Sequence, residues 1–419
     1  MILKMSNPEI WKFSFIICFL LLLHPCKATD EEFKFLIFSD IHAADMPDGK
    51  ERMDTIVNAA VRENVDFIIQ LGDFMRLDED SKPIKEIWDK CDIKKYHVLG
   101  NHDMDQYSKE KFIEGFNIIN RYYSFDKGEF HFIVLDANNI YDGTKYTPYG
   151  NGNYGRLDIS QQNFIDPEQL EWLKKDLKET NKRCIIFSHE SIERVIGNRE
   201  EVRKILEDAN TEAGFKKVVL SFSGHNHSNY TENINGITYT QINSASYVWI
   251  EGNYSIKAGH RYSQEILNKY KLMKRSIPYS KTLYGIVTVN KNRISMKGIQ
   301  GNFIPPTPQE LNLPDILNGF PLVSSIQDLS IDLNDNTSNI KQISDKTNTL
   351  ISHKNESLSV KTDKIKQIQL FTPYGTLLKR QIVQNDMTEI SLGEFPEGFY
   401  LLVLIGDNAQ HVYKIINRL

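Results

Sequence analysis

Three short apolar runs in this chain end alike. FKFLIFS (33–39) gives way to Asp40 and His42, VDFIIQL (65–71) to Gly72 and Asp73, and KKYHVLG (94–100) to Asn101, His102 and Asp103. Each run has the length and composition of a buried strand. Between the first two lies ERMDTIVNAAVREN (51–64), with apolar residues near every third or fourth position, the period of a helix. KPIKEIWDK (82–90) and SKEKFIEGF (108–116) read as further helices. Strands alternating with helices predict an α/β core.

The pattern continues downstream. YYSFDKGEFHFIVLDAN (122–138) reads as a hairpin turning at Asp126, Lys127 and Gly128. DPEQLEWLKKDLKET (166–180) opens as a helix should, with Asp166 as N-cap and Pro167 at the first position. CIIFSH (184–189), VRKILEDAN (202–210) and KKVVLSFSG (216–224) follow as strand, helix and strand. GITYTQINSASYVWI and TLYGIVTVNKNRISMKGIQ, within 236–300, read as strands without helices between them. The basic stretch EILNKYKLMKR (265–275) reads as one helix with a solvated face. The expected core is two packed sheets flanked by helices.

Polar residues gather where these strands end. Ligand sites in open α/β sheets lie at the carboxyl ends of strands. Five successive ends deliver Asp40 and His42, Asp73, Asn101 and His102, His189, and His225 and His227. Carboxylate and imidazole without cysteine suit divalent transition metals such as Mn, Fe or Zn. Even without His102, seven protein groups exceed what one ion takes. Two ions would share a bridging carboxylate, about 3.5–4 Å apart. In extended backbone, residues i and i+2 point the same way, so His225 and His227 would face one pocket. Taken alone, that pair also reads as a polar loop with two solvated histidines.

The ordered motifs are D-x-H at 40–42, G-D at 72–73, G-N-H-D at 100–103, His189, and G-H-x-H at 224–227. Each is common alone. As an ordered set, spread over residues 33–305, they resemble the calcineurin-like metallophosphoesterase family. The resemblance implies a two-sheet αββα sandwich and a metal-dependent phosphoric ester hydrolase. It implies that Asp40, His42 and His227 hold one ion and Asn101, His189 and His225 the other, with Asp73 bridging. It implies attack by metal-activated hydroxide on a phosphate mono- or diester, with His102 protonating the leaving oxygen or steadying the phosphate. His102 also reads as a residue that orients Asn101. Asp103 reads as a cap of its loop or as the group that orients His102.

The chain departs from two branches at one position. Purple acid phosphatases place a tyrosine three residues after the bridging aspartate, and protein phosphatases an aspartate. Arg76 stands there. It reads equally as a contact to substrate phosphate and as a surface arginine. Asn243 and Tyr247 are further candidates for substrate binding, with Trp249 beside them; the two aromatic rings also read as core. The loop 141–158, rich in Gly, Asn and Tyr, reads as a solvated crossover or as a cover over the site.

The chain has 419 residues, 40% apolar and 25% charged, and a net charge of −5. This length predicts more than one domain. The charge and the lack of a basic stripe argue against a nuclease or other nucleic-acid partner, because polyanion binding needs many phosphate contacts. FSFIICFLLLL (13–23), behind Lys4 and Lys12, is short for a membrane span and reads as a signal peptide, residues 1–28, cut after Ala28. No stable transmembrane segment is expected after cleavage. An uncut anchor and a lipid on Cys26 are the alternatives. Cys91 and Cys184 are the cysteines outside this segment, and they read as a pair or as buried thiols.

The expected organisation is a catalytic domain over 29–305, a linker over 306–345 and a small all-β sandwich over 346–419. FPEGFYLLVLIG, ending in Lys-Ile-Ile-Asn-Arg-Leu, resembles the C-terminal sorting domain of the type IX secretion system of Bacteroidetes. That resemblance implies passage through the periplasm to the cell surface or medium, with the secretion machinery as partner. A generic immunoglobulin-like module is the other reading. The leading expectation is an exported dinuclear phosphoesterase acting on a small phosphate ester. A metal-binding surface protein without turnover, used for adhesion, is the competing class.

Overall fold

The computed structural model describes residues 32–250, 254–255, 257, 261–333, 350–354, 357–361, 365–372, 377–383, 387–396, 398–406 and 410–417. The expected signal peptide lies outside them. In chain order the strands of the first unit are β1 (Phe33–Phe38), β2 (Phe67–Gln70), β3 (Lys94–His97), β4 (Tyr123–Lys127), β5 (Phe130–Val134), β6 (Asn139–Tyr141) and β7 (Tyr146–Pro148). They continue with β8 (Arg183–Phe187), β9 (Val218–Ser223), β10 (Tyr230–Ile234), β11 (Ile237–Gln241), β12 (Tyr247–Trp249), β13 (Ser276–Pro278), β14 (Gly285–Asn290), β15 (Arg293–Gly298), β16 (Ile316–Leu317), β17 (Phe320–Pro321) and β18 (Leu329–Asp332).

Two six-stranded sheets form, in the orders β18-β15-β14-β1-β2-β3 and β10-β11-β9-β8-β5-β4. β1, β2 and β3 are parallel, with Ile37 opposite Ile69 and Ile69 opposite Tyr96. β5, β8, β9 and β11 are parallel in the second sheet. Side chains alternate along β1, so its two faces do different jobs. Phe35 points between the sheets, where its ring meets Phe132, Phe187 and Phe222 of the second sheet at 6.0, 6.1 and 6.4 Å. Phe38 points outward to Trp88 in the helix Lys82–Lys90, at 6.1 Å. The helices Pro167–Glu179 and Arg199–Ala213 cover the outer face of the second sheet, with Leu170, Leu173, Val202 and Leu206 buried on it. The fold is the expected αββα sandwich.

Two local expectations differ. The basic stretch 265–275 is a helix, Gln264–Lys269, and a 3-10 turn, Lys271–Lys274, broken at Tyr270. The stretch from 306, expected as linker, folds into the first unit as far as Leu333. β18 pairs with β15 and closes the first sheet on that side, and Leu311, Leu313 and Ile326 are buried in the core. An edge strand with open N–H and C=O groups takes a partner, and this segment supplies it. Residues 334–345 of that expected linker lie outside the described residues. Cys91 and Cys184 are both buried and unpaired; burial pushes the Cys184 thiol up to about 12.

The second unit begins at Asn334. Leu350–Lys354, Ser357–Lys361 and Met387–Ser391 form one sheet; Leu377–Ile382, Ile365–Phe371, Gly398–Gly406 and Gln410–Asn417 form the other. Leu358, Val360 and Ile390 of the first join Ile368, Leu370, Leu402 and Leu404 of the second in one apolar cluster. The Tyr400 hydroxyl donates to the Pro396 carbonyl at 2.6 Å. Among the described residues no helix is long and apolar enough to cross a membrane.

Candidate metal centre

The parallel strands of both sheets send their carboxyl ends to one edge of the sandwich. Asp40 and His42 follow β1, Asp73 follows β2, Asn101 and His102 follow β3, His189 follows β8, and His225 and His227 follow β9. The backbone there is strained: Asp40, His42, Asp73, His225 and His227 all have positive φ, between 43° and 75°. Non-glycine residues in that region cost free energy and cluster at functional sites. Backbone bonds tie the loops together. Asp40 N–H donates to Gly72 O at 3.0 Å, and His42 N–H to Asp73 O at 3.1 Å. Two glycines permit this approach. A Cβ on Gly72, at φ +99°, would stand 2.5 Å from His189 Nδ1, and one on Gly224 would stand 1.8 Å from Ser39 Oγ.

The side chains converge as acceptors. His227 Nδ1–H donates to the Tyr247 carbonyl at 2.6 Å, and His189 Nδ1–H to the Leu71 carbonyl at 2.7 Å. Carbonyls of this kind fix the tautomer that leaves Nε2 to a metal. His42 Nε2 and His227 Nε2 face each other at 3.3 Å. Asp40 Oδ1 lies 3.3 Å from His227 Nε2, is fully buried and has no hydrogen-bond partner. Asp73 Oδ2 lies 3.3 Å from His189 Nε2 and 3.6 Å from His42 Nε2, between the two groups. His225 Nδ1 is 3.0 Å from Asn101 Oδ1 and 3.3 Å from His189 Nε2. Potential ligand atoms of Asp40, His42 and His227, and of Asp40, Asp73 and His189, lie within 4.8 Å of one another in each group.

Electrostatics agree. Burial pushes His42 down to about 3, and burial with the neighbouring His189 charge does the same to His225. Burial would raise Asp40, but His189 and His227 hold it at about 2. Burial likewise works against ionisation of Asp73, yet His189 and His102 keep it well below the usual range. Burial opposes a charge on His189, but Asp73 and Asp40 raise it well above an ordinary imidazole. A fully buried carboxylate oxygen with no partner, 3.3 Å from the His227 Nε2, fits a divalent cation and little else.

His102 sits differently. Its side chain is 37% exposed, and its backbone N–H donates to Asp73 Oδ1 at 2.8 Å. Its Nδ1 meets Asp105 Oδ2 at 2.8 Å. Burial opposes its charge, but Asp73 and Asp105 raise it to about 9, so it carries a proton at neutral pH. Asp103 accepts from Gly100 N–H and Phe74 N–H, both at 2.8 Å, which makes it the cap of the loop. The orienting carboxylate is Asp105. Tyr154 donates to Asp105 Oδ1 at 2.5 Å, accepts from Asn101 Nδ2 at 3.1 Å and is 3.4 Å from His102 Nδ1. The loop 141–158 therefore reaches the site through Tyr154.

The three candidates for substrate contact are placed otherwise. The Asn243 amide donates to Val323 O at 2.8 Å and accepts from Tyr279 at 2.9 Å, so it is used up inside the fold. Tyr247 is fully buried, its ring 5.4 Å from that of His42, and supports the ligands from behind. Arg76 is held by ion pairs to Asp45 and Asp78. A cleft of about 920 Å³ opens over Asp73, His102, His225 and His227. Residues missed in the sequence complete the picture: Asp105, Tyr154, the cleft wall at Leu317–Leu322, and Glu190, whose buried carboxyl stands beside His189 and His225. A carboxylate one residue past a candidate ligand was the available signal for Glu190.

The model of the calcineurin-like phosphoesterase family matches residues 33–229. No curated protein matches the chain. Among solved structures, a dimetal phosphatase from Danio rerio is 16% identical, covers 65% of this chain and 98% of its own, and superposes with a TM-score of 0.45. GAP50, the anchor in the inner membrane complex of Plasmodium, is 14% identical over 70% of this chain and 99% of its own, with a TM-score of 0.38.

Proposed function

We propose that this chain is a calcineurin-like, metal-dependent phosphoric ester hydrolase that takes two divalent cations. Asp40, His42 and His227 would hold one, Asn101, His189 and His225 the other, with Asp73 between them. The observation that carries this reading is the unpartnered, fully buried Asp40 Oδ1 facing His227 Nε2 at 3.3 Å within a ring of further donor atoms. When bound, the cations supply Lewis-acid polarisation of the phosphate and a more acidic water. The chain's own residues do the rest. His189, its Nδ1 held by the Leu71 carbonyl at 2.7 Å, would offer Nε2 as a ligand. His102, held by Asp105 and the Asp73 carboxylate, keeps a proton at the open face of the cleft. As the bond from phosphorus to the leaving oxygen breaks and one from water oxygen forms, that proton passes to the leaving alcohol.

The proposal includes export. Lys4 and Lys12 before the apolar run 13–23 support a signal peptide, and the Pro-x-Gly-x-Tyr turn with the basic end supports a type IX sorting domain. N-terminal sequencing of secreted protein should begin just past Ala28. Asp73→Asn should lower hydrolysis of an aryl phosphate ester by about a thousandfold or more while the chain stays folded by circular dichroism. Retained hydrolysis would place the reaction elsewhere.

A further inference from the structure

The cleft over the metal centre is larger than a phosphate needs. Its volume of about 920 Å³ lies near the top of the range for small-molecule pockets, roughly 300–1,000 Å³. One part of its wall is apolar: Trp249, Leu272, Phe320 and Leu322. The Trp249 ring lies 5.4 Å from that of His227 and 6.3 Å from that of His102. A group attached to phosphorus at this centre therefore passes against Trp249. Lys274 and Arg275 line the same cleft and are exposed. Neither side chain is ion-paired among the described residues, in contrast to Arg76, which Asp45 and Asp78 occupy. Two unneutralised cations beside an anion-handling centre are surplus to a substrate with one phosphate.

We propose, on the basis of the phosphoesterase reading, that the substrate's leaving group carries an apolar or aromatic body and a second anionic group. The body would seat on Trp249 and Phe320, and the anion on Lys274 and Arg275. Arg binds phosphate or carboxylate through paired N–H groups, and aromatic side chains bury flat apolar surface. The test uses the full chain loaded with Mn. It compares a nucleoside 5′-monophosphate with the corresponding 3′,5′-bisphosphate, which adds one anion to the same leaving group. The bisphosphate should show about tenfold or higher kcat/KM, mostly through KM. In the Lys274→Ala/Arg275→Ala variant that ratio should fall to near one, and high salt should lower it in the unaltered chain. Equal kcat/KM for the two esters, or a ratio unchanged in the variant, overturns the proposal. Absence of aryl phosphate hydrolysis by the unaltered, Mn-loaded chain would instead overturn the phosphoesterase reading beneath it.

A separate observation concerns Glu190. It is fully buried, and neither carboxyl oxygen has a hydrogen-bond partner. A buried carboxyl left unpaired costs several kcal/mol unless something compensates it. One of its oxygens and one nitrogen each from His189 and His225 lie mutually within 4.8 Å. The geometry assigns Glu190 as a further carboxylate donor to the ion at Asn101, His189 and His225. Titration of the full chain with Mn, followed by calorimetry and metal analysis, tests this without turnover. The unaltered chain should bind two ions. Glu190→Gln should lose at least about tenfold in affinity for one ion and keep the other. Glu190→Asp, which keeps the charge on a shorter arm, should fall between them. Two ions held with unchanged affinity by Glu190→Gln overturn the assignment, and fewer than two ions on the unaltered chain overturn the dimetal reading.

Discussion

The first unit contains two groupings of histidine with aspartate, built in opposite ways. At the far side of β5, His131 Nδ1 meets Asp126 Oδ1 at 2.6 Å and its Nε2 meets Asp176 Oδ2 at 2.8 Å. Both ring nitrogens have a carboxylate, and the contact pins β5 to the helix Pro167–Glu179. At the strand ends, His42 and His227 turn nitrogen toward nitrogen, and Asp40 Oδ1 has no partner. The first grouping closes on itself. The second is complete only with added positive charge. Residue type alone therefore does not mark a metal site; the balance of donors and acceptors does.

Metal addition is the largest way to test that contrast. Mn at a hundredfold excess over its dissociation constant should stabilise the chain by about 2.7 kcal/mol, read as a rise in Tm. Asp40→Asn should abolish most of that rise, and His131→Asn should leave it intact. A rise that depends on His131 as much as on Asp40 would erase the distinction. Gly224→Ala should come next. Its Cβ would collide with Ser39 Oγ and stand 2.6 Å from Asp40 Oδ2, so a loss of about 1–3 kcal/mol is expected, together with weaker metal uptake.

The smallest effect concerns pH. Burial works against a charge on His131, but Asp176 and Asp126 raise its pKa above the ordinary value. A raised histidine stabilises fully below the unfolded pKa, about 6.5, and the contribution fades as pH rises through the folded value. His131→Asn should cost about 1–2 kcal/mol in urea melts at pH 6 and less at pH 9. An equal cost at both would mean the ring acts by packing, not by charge.

Local features were legible in the chain. Asp166 was expected as an N-cap, and its carboxylate accepts from Gln169 N–H at 3.1 Å. The strand-end residues were legible because a parallel strand followed by a helix places its next residues at the sheet edge. Non-local features were not. The stretch 306–345 reads as linker, yet Leu329–Asp332 within it pairs with β15, and Leu317–Leu322 walls the cleft. Asn243 sits after a strand like the ligands, but a carbonyl 80 residues away takes its amide. Tyr154 comes from a loop whose composition resembles solvated turns, and it bonds Asp105 across 49 residues.

The amino-acid order by itself determined which donors stand at the strand ends, because alternation along a strand and the sense of a β-α connection are short-range geometry. Which of those donors remain without partners, what walls the cleft above them, and which carboxylate steadies His102 were decided only in the folded chain. Those outcomes depend on segments far apart in sequence meeting across the edge where the two sheets end.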